Sequence, residues 1–160
     1  MQVEQLMTRD VKAAREHDTL QAAAQIMWDR NCGCVPIVDA DNRVVGIITD
    51  RDICLAAFAQ SKTLSRMHVG DSMARRVHTC RVDDTLAYVE ALMQQKQVRR
   101  LPVVDSEDQL VGIISLHDLA REAQREMSLA EREVCPDEVG LTLAAVSAPA
   151  SRLHHGPAIL

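Results

Sequence analysis

The feature that most constrains the fold of this chain is an internal repeat. Residues 18–53 align with residues 84–119 at a constant offset of 66 positions, without a gap, and 12 of the 36 aligned residues are identical. The identities cluster in three separate blocks: Asp-Thr-Leu, Pro-x-Val-Asp and Val-Gly-Ile-Ile. One register held across three blocks indicates two similar folded units, which we expect to pack about a pseudo-twofold axis.

The composition limits the class of protein. A chain of 160 residues can bury a core, and with 47% hydrophobic but only 2% aromatic residues that core must be mainly aliphatic. A formal charge of −5 argues against nucleic acid as a partner, because such proteins need a basic face. The sequence has no apolar run long enough to span a membrane and no signal-peptide pattern at its start, so we expect a cytoplasmic protein with no membrane partner.

Hydrophobic periodicity predicts the same order of elements in both copies: a short extended segment, a helix, two strands and a second helix. In the first copy these are an extended segment over 11–14, a helix over 19–30 capped by Asp18, strands over 34–38 and 43–49, and a helix from about Asp50. In the second copy they are an extended segment over 77–80, a helix capped by Asp84, strands over 100–104 and 109–115, and a helix from near His117 to about Arg132.

The same pattern sets the expected domain boundaries. We expect a first repeat over 5–60, a connection over 61–72 and a second repeat over 73–127. Residues 128–160 should hold the end of the last helix and a flexible tail. From about Cys135 the periodicity stops, and within the tail we predict only a short extended piece over 139–146.

Each copy ends an apolar strand at a hydroxyl residue that is followed three positions later by an aspartate. Unpaired N–H groups at the start of the next helix suit a phosphate, and an aspartate can accept from two vicinal ribose hydroxyls. In the first copy these residues are Thr49 and Asp52, with Arg51 available to neutralise phosphate. Taken alone, the four residues 49–52 fit ordinary helix capping better than ligand binding.

The second copy carries Ser115 and Asp118 but replaces the arginine by His117, so phosphate binding there should be weaker or sensitive to pH. Arg99 and Arg100 stand where the first copy has Gly33 and Cys34. Arg100 can reach a phosphate or pair with surface acids, and the sequence favours neither. The two candidate sites are therefore not equivalent.

The repeated motifs resemble a tandem pair of cystathionine-beta-synthase (CBS) domains, a Bateman module, over about residues 5 to 127. The resemblance rests on Met7-Thr8, on the Val-Pro-Ile-Val-Asp block and on Gly-Ile-Ile-Thr-Asp-Arg-Asp. It implies an α/β (α+β) fold of two repeats, each a small three-stranded sheet with two helices, paired so that two clefts remain. Such clefts commonly bind AMP, ADP, ATP or S-adenosylmethionine, and the modules commonly form homodimers. With little chain beyond the repeats, this sequence resembles the stand-alone bacterial type.

The resemblance also implies which residues contact an adenosine ligand. By family position, adenine-pocket walls come from Val11, Ala13, Cys34, Val35, Pro36 and Ile48 in one copy, and from Val77, Thr79, Arg100, Leu101, Pro102 and Ile114 in the other. The ribose and phosphate contacts come from Thr49, Arg51 and Asp52 in one copy and from Ser115, His117 and Asp118 in the other.

We therefore expect a regulatory module that senses an adenosine compound and signals to an unknown partner protein, with no required cofactor and no enzymatic activity. No Gly-x-Ser-x-Gly, Walker or His-Glu-x-x-His motif is present in the sequence. Two alternatives stay open: an interaction protein with degenerate clefts, and a stress protein that uses Cys32 and Cys34 as a thiol or metal site. For these two thiols an inert role is favoured, because a structural zinc site needs four ligands, and we expect no metal site.

Overall fold

The computed structural model describes residues 1–126 and 134–148 of the chain. It contains five α-helices and five strands in these ranges. The first repeat holds α1 (Leu20–Arg30), β1 (Cys34–Val38), β2 (Val44–Thr49) and α2 (Asp50–Gln60). The second repeat holds β3 (Cys80–Arg81), α3 (Leu86–Lys96), β4 (Arg100–Val104), β5 (Leu110–Ser115) and α4 (Leu116–Glu126), and α5 (Pro136–Ser147) follows. The predicted order of elements is confirmed.

Each repeat builds its sheet around an antiparallel hairpin. β1 pairs with β2, and β4 pairs with β5 in the equivalent register, each with an irregularity before the last pair. In the second repeat β3 adds a third strand parallel to β4. In the first repeat this third strand is reduced to a single parallel bridge between Ala14 and Ile37, the positions equivalent to Cys80 and Val103.

The segments that lead into the repeats cross to the opposite repeat. We call residues 2–14 and 68–80 the lead-in segments. In the first of them Thr8 bridges to Ile113 in β5, and in the second Ala74 bridges to Ile47 in β2. These two bridges are related by the offset of 66 residues, and so are the bridges Gln2–Thr85 and Thr19–His68. This pairing is what a pseudo-twofold axis requires.

The protein has two hydrophobic cores, one in each repeat, and each includes residues from the lead-in segment of the other repeat. The first core is built around Leu20, Ile37 and Ile48. Val69 and Met73 from the second lead-in segment pack into it, as does Met67 directly before that segment. The second core is built around Leu101, Ile114 and Leu119, and Val3 and Met7 from the first lead-in segment complete it. Neither repeat therefore completes its core from its own helices and strands alone.

The N-terminal caps of α1 and α3 differ from the prediction. Thr19 and Thr85 are the N-cap residues, and their side chains accept from the backbone N–H groups of Ala22 and Tyr88. The carboxylate of Asp18 instead accepts from the backbone N–H of Arg15 at 2.7 Å, which closes the preceding turn. Asp84 does the same with Arg81. The aspartates stand one position too early to cap the helix.

The C-terminal region differs from the prediction most. The extended piece expected over 139–146 is wrong, because Pro136–Ser147 is an α-helix with Pro at its start and two acids in its first turn. Thr142 and Val146, one helical turn apart, are buried, and the Thr142 hydroxyl accepts from Gln94 Nε2 at 2.8 Å. α5 thus packs on α3 and α4. The predicted helix end near Arg132, and the tail beyond residue 148, lie outside the described residues.

None of the helices in the described ranges combines the length and apolar character needed to cross a membrane.

Candidate functional site

Thr49 and Asp52 are joined by reciprocal hydrogen bonds at the junction between β2 and α2. The Thr49 hydroxyl accepts from the Asp52 backbone N–H at 3.2 Å and donates to Asp52 Oδ2 at 2.7 Å. The Thr49 backbone N–H donates to the same carboxylate oxygen at 2.9 Å. The capping role is therefore present. The capping hydrogen bonds use only Oδ2 of the Asp52 carboxylate. Within the described residues Asp52 Oδ1 accepts no protein hydrogen bond.

Ser115 and Asp118 repeat this arrangement at the junction between β5 and α4. The Ser115 hydroxyl donates to Asp118 Oδ2 at 2.6 Å and accepts from the Asp118 backbone N–H at 3.3 Å. Two rigid hydroxyl–carboxylate pairs thus stand in equivalent positions, each with a carboxylate oxygen left over. A free carboxylate oxygen at a fixed position can accept from a ligand hydroxyl without rearrangement of the protein.

Two clefts lie beside these pairs. We call them cleft A, with a volume of about 600 Å³, and cleft B, with a volume of about 530 Å³. Both volumes fall within the range typical of small-molecule sites. Cleft A is lined by Gly33, Ile47, Thr49, Asp50, Arg51, Arg76, Val77, His78, Gln97, Val98, Arg99, Arg100 and Pro102. Cleft B is lined by Thr8, Asp10, Val11, Lys12, Ile26, Arg30, Asn31, Cys32, Gly33, Cys34, Pro36, Arg100, Ile113, Ser115, His117 and Asp118.

Each cleft combines the motif of one repeat with walls from the other. Thr49 and Arg51 of the first repeat face Val77 and Pro102 of the second. This differs from the expected grouping, in which the walls of a cleft and its motif came from one copy. The reason is the crossing of the lead-in segments, since Ala74 pairs with β2 and thereby brings the residues after it beside Thr49.

Several predicted wall residues do not line either cleft. Val35 and Leu101 have no exposed surface and belong to the two cores, as do Ile48 and Ile114. Their neighbours Ile47 and Ile113 line the clefts instead, because successive side chains of a strand point to opposite faces. Ala13, Thr79 and Asp52 also lie outside the lining, whereas Val11, Cys34, Pro36, His117 and Asp118 lie within it.

Arg100 and Cys34 occupy equivalent positions and meet between the clefts. Arg100 lines both clefts, as does Gly33. Burial raises the pKa of the Cys34 thiol, and the adjacent Arg100 guanidinium opposes that rise. The Arg100 guanidinium lies beside Gly33, where a Cβ atom would lie 3.5 Å from its Nη1 and 3.2 Å from Asp50 Oδ2. Arg100 therefore lies at both clefts with the carboxylate of Asp50 nearby, and its contact with a phosphate stays a prediction.

Sequence reasoning missed several lining residues that the crossing brings in. They include Arg76 and Gln97 in cleft A and Asp10 and Arg30 in cleft B. A signal was present for two of them, because Asp10 and Arg76 are equivalent under the repeat and directly precede the predicted walls at Val11 and Val77.

The geometry gives little support to the alternative in which Cys32 and Cys34 form a thiol or metal site. Cys32 is exposed and its thiol donates to the backbone oxygen of Cys34 at 3.3 Å, while Cys34 is buried. Within residues 1–126 and 134–148 no cluster of three or more His, Cys, Asp or Glu side chains has a metal-binding arrangement. A redox or metal role of these thiols stays a prediction.

The chain is similar in sequence and in structure to known proteins. The chain is 34% identical over 116 residues to Hypoxic response protein 1 of Mycobacterium tuberculosis, which covers 72% of this chain and 80% of that protein. It is similar to the crystal structure of the CBS domain pair of protein MJ0100 in complex with 5-methylthioadenosine and S-adenosyl-L-methionine, with a TM-score of 0.67, 30% identity, and coverage of 76% and 98% of the two chains. It is also similar to CBSX2 in complex with AMP, with a TM-score of 0.68, 25% identity, and coverage of 78% and 96%.

The family model of the CBS domain matches this chain twice, over residues 3–58 and 69–125. These two matches span most of the chain and coincide with the two repeats seen in the fold. The chain belongs to the CBS domain family, as a tandem pair of CBS domains.

Proposed function

We propose that this protein is a regulatory module that binds an adenosine-containing ligand in clefts A and B and signals the bound state to a partner protein. The candidate ligands are AMP, ADP, ATP and S-adenosylmethionine. CBS-domain proteins are generally regulatory, and two structures similar to this one hold S-adenosyl-L-methionine, 5-methylthioadenosine or AMP.

The observation that carries the proposal is the matched construction of the two clefts. A hydroxyl–carboxylate pair with an uncommitted carboxylate oxygen stands at a helix N-terminus beside each cleft, which suits ribose and phosphate. Thr49 of the first pair lines cleft A, with Asp52 directly behind the lining in the same pair, and both Ser115 and Asp118 line cleft B. Each cleft also has an apolar wall that suits a nucleobase: Ile47, Val77 and Pro102 in cleft A, and Ile113, Val11 and Pro36 in cleft B.

Removal of one carboxylate should disable one cleft. We expect Asp52→Ala to weaken adenosine-ligand binding in cleft A by at least about tenfold, and Asp118→Ala to do the same in cleft B, because each variant removes the charged acceptor for the ribose. Isothermal titration calorimetry with AMP, ATP and S-adenosylmethionine measures this directly.

The two variants serve as matched controls for each other. Both lose the same capping bonds at the start of a helix, so both should lose about 1 kcal/mol of stability, while each should spare binding in the opposite cleft. If neither variant alters the affinity or stoichiometry of any of these ligands, the site assignment is wrong. If the parent protein binds none of them, an interaction role with degenerate clefts becomes the better reading.

We also propose that the protein forms a homodimer through the exposed face of α1 and α2. Trp28 on α1 and Phe58 on α2 are 84% and 85% exposed, Leu55 on α2 is half-exposed, and the two helices contact each other. The equivalent helices of the second repeat, α3 and α4, are covered by α5. A large exposed apolar patch of this kind usually marks an interface.

Light scattering at micromolar concentration should give twice the chain mass for the parent protein. Phe58→Asp should shift the mass to that of one chain, because a charge would be buried at the interface without a partner. Leu143→Asp, at an exposed position of α5, is the control and should leave the dimer intact. A parent protein with the mass of one chain would contradict the proposal.

A further inference from the structure

The two clefts have the same construction but not the same charge. Cleft A is lined by four arginines and one aspartate, whereas cleft B is lined by one lysine, two arginines and two aspartates. The repeat relates most lining residues of one cleft to residues of the other, so much of the difference can be assigned to single substitutions. Three substitutions make cleft A the more positive: Arg76 stands where cleft B has Asp10, Arg99 where it has Gly33, and Arg51 where it has His117. Two act in the opposite direction, because Asp50 of cleft A stands where the second repeat has Leu116, and His78 stands where cleft B has Lys12. With the histidines neutral, the lining of cleft A carries a formal charge of +3 and that of cleft B a formal charge of +1.

The cations of cleft A are not neutralised by the protein. Among the residues that the structure describes, Arg51, Arg76 and Arg99 take part in no ion pair. The guanidinium of Arg99 donates to the hydroxyl of Ser147 at 3.3 Å, a neutral partner. Arg100 also takes part in no ion pair among the described residues, although the carboxylate of Asp50 lies nearby at Gly33. These charges are therefore available to a ligand.

In cleft B one of the positively charged side chains is already neutralised by an ion pair within the protein. The guanidinium of Arg30 is paired with the carboxylate of Asp10 at 2.5 Å. The same contact lowers the pKa of Asp10, so that this carboxylate stays ionised on the cleft wall. A second carboxylate, Asp118, lines the cleft directly. Because the Asp10–Arg30 pair is neutral as a unit, the ionised side chains of this lining outside that pair are Lys12, Arg100 and Asp118, so a polyphosphate would meet less positive charge here than in cleft A.

From this contrast we propose that cleft A is selective for adenosine polyphosphates, that is ADP and ATP, and that cleft B takes adenosine ligands with one phosphate or none. The inference rests on the proposed adenosine-binding function and adds the chemical class that each cleft selects. Each phosphate beyond the first adds negative charge, and guanidinium groups bind phosphate oxygens by charge-assisted, bidentate hydrogen bonds. The difference in charge between the clefts should therefore change how affinity depends on the number of phosphates, and should have little effect on binding of the adenosine part.

The test measures each cleft separately. Calorimetry with adenosine, AMP and ATP on the Asp118→Ala variant reports cleft A, and the same titrations on Asp52→Ala report cleft B. We expect cleft A to bind ATP at least about tenfold more tightly than AMP, and the difference to shrink as salt is raised, since the phosphates meet several unscreened cations. We expect cleft B to bind ATP no more tightly than AMP.

Exchange of the wall residues provides a control that leaves both hydroxyl–carboxylate pairs intact. Arg76→Asp with Arg99→Gly gives cleft A the residues of cleft B, and should abolish its preference for ATP while AMP still binds. Asp10→Arg gives cleft B the residue of cleft A and also releases Arg30, so it should create a preference for ATP there. All three positions are at the surface or partly exposed, so these variants should fold.

The outcomes separate this inference from the proposed function. If cleft A binds AMP and ATP with affinities within twofold of each other, or if the wall exchanges leave the preference unchanged, the inference is overturned and adenosine binding stands. If no adenosine compound binds either variant or the parent protein, the proposed function fails and the inference fails with it.

Discussion

Leu101→Ala should lower the free energy of unfolding by about 2–5 kcal/mol, the range for removal of a fully buried leucine side chain. Leu101 lies in β4, has no exposed surface, and packs in the second core with Ile114 and Leu119. Since a domain of this size is stabilised by roughly 5–15 kcal/mol in total, the loss should be evident as a lower urea midpoint.

The same variant tests the placement of the cleft walls. By family position Leu101 is a wall residue, but the structure places its side chain in the core. The affinity of the folded variant for AMP should therefore stay within about twofold of the parent. Val35→Ala, at the equivalent position of the first core, is the matched control and should show a smaller loss of stability, because fewer buried methyl groups are removed. Lost AMP affinity with unchanged stability would contradict the core assignment.

Glu90→Gln should stabilise the protein at pH 8 and have little effect at pH 5. Glu90 lies on α3 at the contact with α5, it is only 6% exposed, and its Oε1 has no hydrogen-bond partner among the described residues. Burial raises the pKa of Glu90 to about 7, and the nearby carboxylate of Glu138 on α5 adds to the rise. In the unfolded chain the group titrates near 4.5.

The direction of the pH effect follows from these values. Because the folded protein holds the proton more tightly than the unfolded chain, the stability from protonated Glu90 is present in full below about pH 4.5 and is lost as the pH rises through about 7. At pH 8 the parent carries a buried, unpaired carboxylate, so Glu90→Gln should raise the free energy of unfolding by about 1–3 kcal/mol.

Thermal unfolding of parent and variant across pH 5–8 measures this effect. The gap between the two proteins should open as the pH rises. Glu138→Gln should give a smaller effect in the same direction, because it removes only the neighbouring charge, and Glu107→Gln in the exposed β4–β5 turn should give none. Parallel pH profiles for parent and Glu90→Gln would show that this carboxyl group does not titrate in the folded protein as described.

Much of the fold was predictable from the sequence because it depends on local pattern. Short segments of the sequence are enough to recognise the repeat of 66 residues, the order of helices and strands, and the two hydroxyl–aspartate motifs. Helix periodicity and turn chemistry act over a few residues, so the starts of α1 to α4 and the bounds of β1, β2, β4 and β5 could be located to within about two residues. The structure then shows that the same hydroxyls do cap their helices, as local reasoning alone suggested.

The wall residues could not be assigned to clefts in this way, because long-range packing decides them. Strand β2 is apolar on both faces, one against the core and one against cleft A, so no alternation distinguishes Ile47 from Ile48. Which repeat supplies the walls depends on the crossing of the lead-in segments, a contact between residues far apart in the chain. α5 is similar, because its small and mixed residues form a helix that is buried only through α3 and α4. The sequence by itself determined the repeated unit and its binding motif, and the tertiary structure decided which residues of the two repeats share a cleft, since only the packing of the repeats brings them together.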